Sequence, residues 1–218
     1  MVAARGRFLR TDFYERLRQA VAIRAAAAAP ERGTAVDAGC GTGYYLTGLL
    51  DRLSGFWGLG LDSSAPALRV AARAHVRAAA ASWDLYRPFP LAGAAADLVL
   101  NVFAPRNAAE FRRILRPEGR LIVARPTERH LAELREQVPT MVAVDPSKEL
   151  RLQWALSPLF ASVATELVEY AVSLSSEQAQ DLVAMTPTAR HLDRAAAPAS
   201  APKGPITVSI LITEYQPR

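Results

Sequence analysis

The feature that most limits how this chain can fold is a glycine-rich segment near residue 40. Residues 36–44 have the sequence V-D-A-G-C-G-T-G-Y, with three alternate glycines at Gly39, Gly41 and Gly43. A strand-like run at residues 34–38 leads into them, and a helical pattern follows. Glycines are needed where a strand turns tightly into a helix and leaves its backbone open to a ligand. The segment therefore predicts a strand–loop–helix unit of an α/β fold with a binding loop.

An acidic residue further along the chain indicates a nucleotide-type ligand for this loop. Asp62 closes the next predicted strand, residues 56–61, and lies 62 − 43 = 19 residues after the last glycine. A carboxylate about 20 residues after such a loop typically holds a ribose diol. The alternative is an ordinary glycine turn with an exposed aspartate at a strand end.

The spacing of the glycines distinguishes between two classes of cofactor. Nicotinamide-binding loops follow G-x-G-x-x-G, whereas here the third glycine comes one position early and Asp37 precedes the loop. The pattern D-x-G-x-G-x-G resembles the first motif of the class I S-adenosylmethionine-dependent methyltransferases. This resemblance implies that Asp37 and the loop surround the methionine part of the cofactor, and that Asp62 binds its ribose.

The remaining chain alternates strand-like and helix-like runs, which is typical of a doubly wound sheet. We expect an α/β, Rossmann-like class I methyltransferase fold: a seven-stranded, mostly parallel sheet with an antiparallel last strand and helices on both faces. Asn107 and Glu110 have capping-box spacing at the start of one helix. The predicted strands are residues 34–38, 56–61, 77–81, 97–102, 120–124, 165–174 and 206–214. The predicted helices are residues 44–55, 64–75, 108–115, 127–137, 148–156 and a short one capped by Ser176.

The length of 218 residues fits a single methyltransferase domain that spans residues 1–218. Within it, we expect residues 1–30 to form a helical N-terminal extension and residues 139–160 a helical insertion. Residues 195–205 consist of alanine, proline, serine, lysine and glycine. That composition predicts a flexible loop before the last strand.

Composition excludes several classes of protein. Cys40 is the single cysteine, so the chain has neither an internal disulfide nor a multi-cysteine zinc site, and we predict no metal. We interpret Cys40 as a buried packing residue. No apolar run is long enough to span a membrane, and a cytoplasmic location is expected. The net charge of +5 favours an anionic partner.

The residues after the third strand are candidates for the adenine pocket. Class I methyltransferases place side chains there against the adenine ring, and the corresponding residues here are Ser82 and Trp83. A tryptophan that only packs beneath a loop is the alternative.

Several further motifs occur in one order along nearly the whole chain: Arg7-Phe8-Leu9, Tyr14-Glu15-Arg16-Leu17, Gly41-Thr42-Gly43-Tyr44-Tyr45, Asn101-Val102-Phe103-Ala104-Pro105, Arg129-His130-Leu131 and Met185-Thr186-Pro187. Together they resemble the 23S ribosomal RNA guanine-N1 methyltransferases, which include enzymes that protect macrolide producers. The resemblance implies that Tyr14, Tyr44, Gly43 and His130 contact the cofactor. Without the resemblance, the preferred interpretations are that Tyr14 is an aromatic residue docked on the sheet and that His130 is a solvated histidine.

One departure from this family concerns metal binding. Its members normally begin with a small zinc module that carries four ligands, and this chain lacks the cysteines for one. Either this sequence is truncated before such a module, or this member recognises its substrate with the methyltransferase core alone.

Methyl transfer is an in-line displacement, so the protein must mainly align the reacting atoms. Asn101 lies at the end of the fourth strand and Phe103 and Pro105 in the turn after it, where class I enzymes place residues that face the methyl acceptor. Asn101 could bond a base edge and Phe103 could stack on the base. The alternative is that Pro105 starts a helix and Phe103 fills the core. Spacing alone marks no general base.

The function predicted from these features is methylation of N1 of a loop guanine in 23S rRNA, with S-adenosylmethionine as the cofactor. The expected partners are the rRNA and, as a further option, a second copy of the chain in a homodimer; no membrane is involved. Arginines crowd the opening segment, where they could meet phosphates or simply form a solvated face. The alternatives are a small-molecule methyltransferase of antibiotic metabolism and a non-catalytic RNA-binding protein that retains the fold. The arginines concerned are Arg5, Arg7, Arg10, Arg16 and Arg18.

Overall fold

The structure, a computed structural model, describes residues 2–138, 141, 154–186 and 202–218. Seven strands in this part of the chain form one sheet with helices around it. The strands are β1 Gly33–Ala38, β2 Phe56–Asp62, β3 Ala78–Ser82, β4 Ala96–Val102, β5 Leu115–Pro126, β6 Phe160–Val172 and β7 Ile206–Pro217. The helices are α1 Val2–Leu9, α2 Glu15–Ala27, α3 Tyr44–Arg52, α4 Ala65–Ala71, α5 Ala108–Ile114, α6 Ala132–Gln137 and α7 Ser176–Met185.

The strand order in the sheet is β3-β2-β1-β4-β5-β7-β6. Strands β1 to β5 are parallel, and β7 runs antiparallel to both of its neighbours, β5 and β6. This arrangement confirms the predicted fold class. The order reverses between β1 and β4, and ligands of such sheets bind beyond the carboxyl ends of the strands at that point.

The central strand β4 explains why the sheet needs helices on both faces. All seven of its residues are buried. Leu98 and Leu100 belong to one hydrophobic cluster, whereas Val99 between them belongs to another. Side chains alternate between the faces of a strand, so a strand that is buried at every position must be covered on both faces.

Different helices pack on the two faces of the sheet. Leu17 of α2 and Leu49 of α3 are fully buried in the first cluster. Phe111 and Ile114 of α5 fill the second. Cys40 joins α4 in a small third cluster, where it is buried as predicted.

Helix boundaries differ from the prediction at a few places. The N-cap of α5 is confirmed, since the Asn107 side chain accepts a hydrogen bond from the backbone N–H of Glu110 at 3.3 Å. The cap of α7 is Ser175 and not Ser176. Helix α6 was expected from residue 127, but residues 127–131 form turns that end at Leu131, whose φ of +58° is incompatible with a helix.

Two predicted segments lie mainly outside the described residues. Of the predicted helical insertion 139–160, the structure describes residues 141 and 154–160, so only residues 154–156 of the predicted helix 148–156 are described. Of the predicted loop 195–205, it describes residues 202–205. The predicted N-terminal extension contains α1 and α2. In the parts of the chain that the structure describes, no helix is both long and apolar enough to cross a membrane.

Candidate functional site

The three loop glycines adopt conformations that other residues rarely take. Gly39, Gly41 and Gly43 have φ values of +93°, +54° and +81°. A methyl group at Gly39 would overlap the Cβ of Ala104, which follows β4. The loop therefore needs glycine both for its left-handed backbone and for close approach to the neighbouring loop.

Asp62 is tied to the glycine loop across the carboxyl edge of the sheet. One carboxylate oxygen accepts a hydrogen bond from the backbone N–H of Gly41 at 2.9 Å, and the other accepts one from Ser64 at 2.8 Å. A carboxylate offers about four acceptor sites. Asp62 thus holds the loop and retains acceptor capacity for a ligand.

Asp37 is a buried carboxylate with an unused oxygen. Its side chain is about 1% exposed, and Oδ2 has no hydrogen-bond partner among the described residues. Burial, and then the charge of Asp62, raises the pKa of Asp37 from its ordinary value to about 7. A buried acceptor without a partner is costly, which indicates that this oxygen serves a bound group.

Tyr14 and His130, which are 116 residues apart, meet inside the protein. Both are buried, with 3.4 Å between Tyr14 Oη and His130 Nε2. The other ring nitrogen, Nδ1, accepts a hydrogen bond from the backbone N–H of Ser209 at 3.3 Å. The hydrogen-bond network thus assigns the imidazole proton to Nε2, which donates to Tyr14. Burial, and then the charge of Arg135, lowers the pKa of His130 to about 3, so the ring is neutral.

Phe103 stands at the mouth of the site in a strained conformation. It follows β4 directly, has a φ of +54° and is 42% exposed. Its ring stacks on His130 at an interplanar angle of 16° and a centroid distance of 6.0 Å, and the ring of Tyr14 is 6.3 Å away. Backbone strain in a bulky residue is typical of functional sites.

Asn101 joins two loops of the site. Its side chain is fully buried, and its Nδ2 donates to the backbone oxygens of Ala38 at 3.1 Å and Pro105 at 2.8 Å. Its Oδ1 has no partner among the described residues. The amide therefore fixes the end of β1 against the turn after β4, and Pro105 takes part through its carbonyl group.

Ser82 and Trp83 lie at the carboxyl end of β3. Ser82 is exposed and pairs in register with Asp62. The Trp83 indole N–H donates to the backbone oxygen of Pro88 at 3.0 Å, and its ring packs against the second hydrophobic cluster. This placement agrees with the packing alternative for Trp83 and leaves Ser82 open to a ligand.

An open pocket lies beside the glycine loop, with an empty volume of about 450 Å³ that includes its mouth. The predicted residues Tyr14, Gly39, Tyr44 and Phe103 line it. The sequence-based list of site residues omitted some lining residues that come from distant segments. These are Arg5, Leu9, Cys40, Thr42, Tyr45, Val102 and Met185.

Tyr44 and Tyr45 have different environments although they are adjacent. The Tyr44 hydroxyl donates to Glu15 at 3.4 Å. The buried Tyr45 hydroxyl has no partner in the described part of the chain. The motif that contains both residues was a signal for the loop, but the sequence predicted only Tyr44 for a pocket that both residues line.

Known proteins with the same fold are methyltransferases and related enzymes. A family model described as a methyltransferase domain matches residues 36–123, which run from β1 to β5. The structure of geranyl diphosphate methyltransferase in complex with its cofactor superposes with a TM-score of 0.56, at 16% identity, over 95% of this chain and 88% of that one. The [4+2]-cyclase SpnF gives a TM-score of 0.60, at 18% identity, over 92% and 80%. The fold and the glycine loop define a class I S-adenosylmethionine-dependent methyltransferase.

Two relatives identify the family within this class. A Micromonospora griseorubida protein assigned as a 23S rRNA (guanine-N1)-methyltransferase is 40% identical over 235 aligned positions, which cover 100% of this chain and 79% of that protein. The Streptomyces fradiae 23S rRNA (guanine-748-N1)-methyltransferase is 43% identical over 195 positions, or 88% and 69% of the two chains. The chain belongs to the 23S rRNA (guanine-N1)-methyltransferase family.

The residues of the site fit S-adenosylmethionine, the cofactor of this enzyme class. The unpartnered Oδ2 of Asp37 suits the ammonium group of the methionine part, and the remaining acceptor sites of Asp62 suit ribose hydroxyls. The loop glycines provide a cradle that a Cβ at Gly41 would reduce, since it would lie 2.7 Å from Arg5 Nη1. In the described residues, no group of three or more His, Cys, Asp or Glu could hold a metal ion.

Proposed function

We propose that this chain methylates N1 of a guanine in a loop of 23S rRNA and thereby protects ribosomes against macrolides. The observation that carries the proposal is the 40–43% identity to two relatives whose names state this reaction, over nearly the whole chain. N1 lies on the Watson–Crick edge, so an unpaired loop base can enter a pocket at a cost of about a few kcal/mol. The proposed location is the cytoplasm, where ribosomes are made.

The cofactor contacts in this proposal follow the geometry of the loop. Gly39, Gly41 and Gly43 provide the floor, Asp62 accepts from the ribose, and Asp37 accepts from the methionine ammonium. Tyr14 and Tyr44 line the same pocket. His130 acts through Tyr14, because it donates to the Tyr14 oxygen and leaves the tyrosine hydrogen free to point into the pocket.

The acceptor side of the site consists of groups that position a base. Phe103 offers a partly exposed aromatic face beside the pocket, and base–aromatic stacking contributes about 1–3 kcal/mol per base. Asn101 and Pro105 keep the turn that carries Phe103 in place. When bound, S-adenosylmethionine supplies the methyl group. The described residues that line the pocket include no Asp, Glu or His, so we infer that the chain acts mainly by alignment.

Contacts with RNA phosphates involve few of the opening arginines. Arg7 pairs with Asp181, and the guanidinium of Arg16 lies over the ring of Tyr170. Arg18 pairs with Asp51 and Glu15. Arg10 is exposed, no side-chain partner is found for it in the described residues, and it follows Leu9 of the pocket wall. We therefore propose Arg10 as a phosphate contact.

The test is primer extension on unmodified 23S rRNA after incubation with the chain and S-adenosylmethionine. Reverse transcriptase stops at an N1-methylated guanine, because the methyl group blocks pairing. We expect one new stop, at a loop guanine. Phe103→Leu, which removes the aromatic face, should weaken the stop by about tenfold or more.

A matched control is Trp57→Leu, which removes a 64% exposed aromatic ring near the amino ends of the strands. It should leave the stop unchanged. The absence of any new stop, together with methyl transfer to a macrolide-type small molecule, would contradict the proposal and support a small-molecule methyltransferase.

A further inference from the structure

Arg5 of α1 lies over the glycine loop, although it is 36 residues before Gly41 in sequence. Its guanidinium lines the pocket, and Nη1 would be 2.7 Å from a Cβ at Gly41. Its Nη2 donates to the backbone oxygen of Met185 at the end of α7. Helices α1 and α7 thus hold a positive charge at the wall of the pocket.

This positive charge has no acidic partner in the described part of the chain, where its side chain donates to a neutral carbonyl group. Arg7, two residues later, instead forms two hydrogen bonds with Asp181 at 2.5 and 2.9 Å. Burial raises the pKa of the Tyr45 hydroxyl, and the charge of Arg5 partly opposes that rise, so the guanidinium acts on groups inside the pocket. A partly buried cation of this kind requires an anion from a ligand.

The charges around the glycine loop have opposite signs on its two sides. Asp37 precedes the loop with an unused oxygen, and Asp62 bonds the N–H of Gly41. Arg5 lies over the same glycine. The methionine part of S-adenosylmethionine is a zwitterion, with an ammonium and a carboxylate on one carbon atom. One acidic and one basic group beside one short loop match both of its charges.

We propose that Arg5 binds the α-carboxylate of the cofactor's methionine part and makes the pocket selective for cofactors that carry this carboxylate. A guanidinium matches a carboxylate in shape and forms charge-assisted hydrogen bonds with it. The site therefore includes α1, a helix outside the nucleotide-binding core that the family model matches. The proposal rests on S-adenosylmethionine being the cofactor, as in the proposed function, and does not depend on which RNA is methylated.

The experiment is calorimetric titration of the full chain with two ligands. One is S-adenosylmethionine, and the other is decarboxylated S-adenosylmethionine, which keeps the sulfonium, ammonium and ribose. The wild-type chain should bind the complete cofactor at least about tenfold more tightly, as expected for charge-assisted hydrogen bonds to a carboxylate. Equal affinities would overturn the proposal without the need for any variant.

Variants then assign the discrimination to Arg5. Arg5→Gln should bind S-adenosylmethionine about tenfold more weakly and the decarboxylated ligand within twofold of wild type. Arg5→Lys, which keeps the charge, should recover part of the loss. Arg69→Gln is the matched control, since it removes an exposed arginine of α4 that does not line the pocket, and it should keep the wild-type discrimination.

Two results would contradict the assignment to Arg5. Equal weakening of both ligands by Arg5→Gln would show that the residue only supports the pocket. Unchanged cofactor affinity with weaker binding of 23S rRNA would show that Arg5 contacts phosphate. Neither result would bear on the methylation target, which the primer-extension test examines separately.

Discussion

Gly39 and Gly204 have nearly the same backbone conformation in very different surroundings. Their φ values are +93° and +91°. A Cβ at Gly39 would overlap Ala104, whereas nothing lies within 4 Å of one at Gly204. The pair therefore separates the cost of a left-handed backbone, about 1–2 kcal/mol, from the cost of steric overlap.

We expect Gly204→Ala to lower the free energy of unfolding by about 1 kcal/mol. Gly39→Ala should lower it by about 1–3 kcal/mol more, because the overlap adds to the backbone strain. Urea denaturation of both variants measures the difference. Gly39→Ala should also weaken S-adenosylmethionine binding, and equal stability losses in the two variants would show that the loops can separate without cost.

Asp37 makes the stability of the ligand-free protein depend on pH. Its pKa in the folded protein, about 7, is above the ordinary value of 3.8 because of burial. The folded state thus binds more protons than the unfolded state between these two values. The stability contribution of a carboxyl with a raised pKa falls as pH rises through that range, and the cost of the buried charge is complete above about pH 7.

Asp37→Asn should remove this cost, because an amide resembles the protonated carboxyl in shape. We expect the variant to be more stable than wild type at pH 8, by up to about 4 kcal/mol for a pKa rise of about three. The difference should approach zero near pH 4. Urea denaturation across this range measures it, and a difference that does not change with pH would contradict the raised pKa.

At the scale of elements, an ion pair connects α1 to α7. Arg7 of α1 bonds Asp181 of α7, and the Asp181 side chain is 10% exposed. Both helices contribute to the pocket wall through Arg5, Leu9 and Met185. The pair therefore holds together two elements that are distant in sequence and adjacent at the cofactor site.

Arg7→Gln should lower the free energy of unfolding, because it leaves the largely buried Asp181 carboxylate without its partner. Hydrogen exchange should become faster in residues 2–9, and the affinity for S-adenosylmethionine should fall with it. Arg24→Gln is the control, because Arg24 pairs with Glu166 away from the pocket. The Glu166 side chain is also more exposed than the Asp181 side chain. Unchanged exchange in residues 2–9 would show that α1 is held by apolar packing alone.

At the scale of the whole molecule, the site forms where the strand order reverses. Strands β1 and β4 are neighbours in the sheet, although β2 and β3 separate them in sequence. In open sheets of this kind, the ligand-binding crevice lies beyond the carboxyl ends of the two strands at this point. Contributions to this crevice come from Arg5 near the start and from Met185 late in the chain. The chain must complete most of its fold before the site exists.

Local patterns in the sequence were sufficient for the sheet and the glycine loop. The apolar run Leu98-Val99-Leu100 predicts a strand buried on both faces, and a left-handed turn requires glycine, so β4 and Gly39 could both be predicted. The spacing of Asp62 likewise placed it at the edge of the sheet beside the loop, where it bonds Gly41. Each of these inferences depends only on residues close together along the chain or on a regular alternation.

Only the tertiary structure decided how distant side chains share the pocket. The protonation of His130 is fixed by Ser209, 79 residues away, and the position of Arg5 over Gly41 by the packing of α1 on α7. Phe103 has a left-handed φ, which phenylalanine rarely adopts. Such features result from contacts between segments that are distant in sequence. Local sequence does not predict them, because the residue pattern of one segment does not depend on the segment that it contacts.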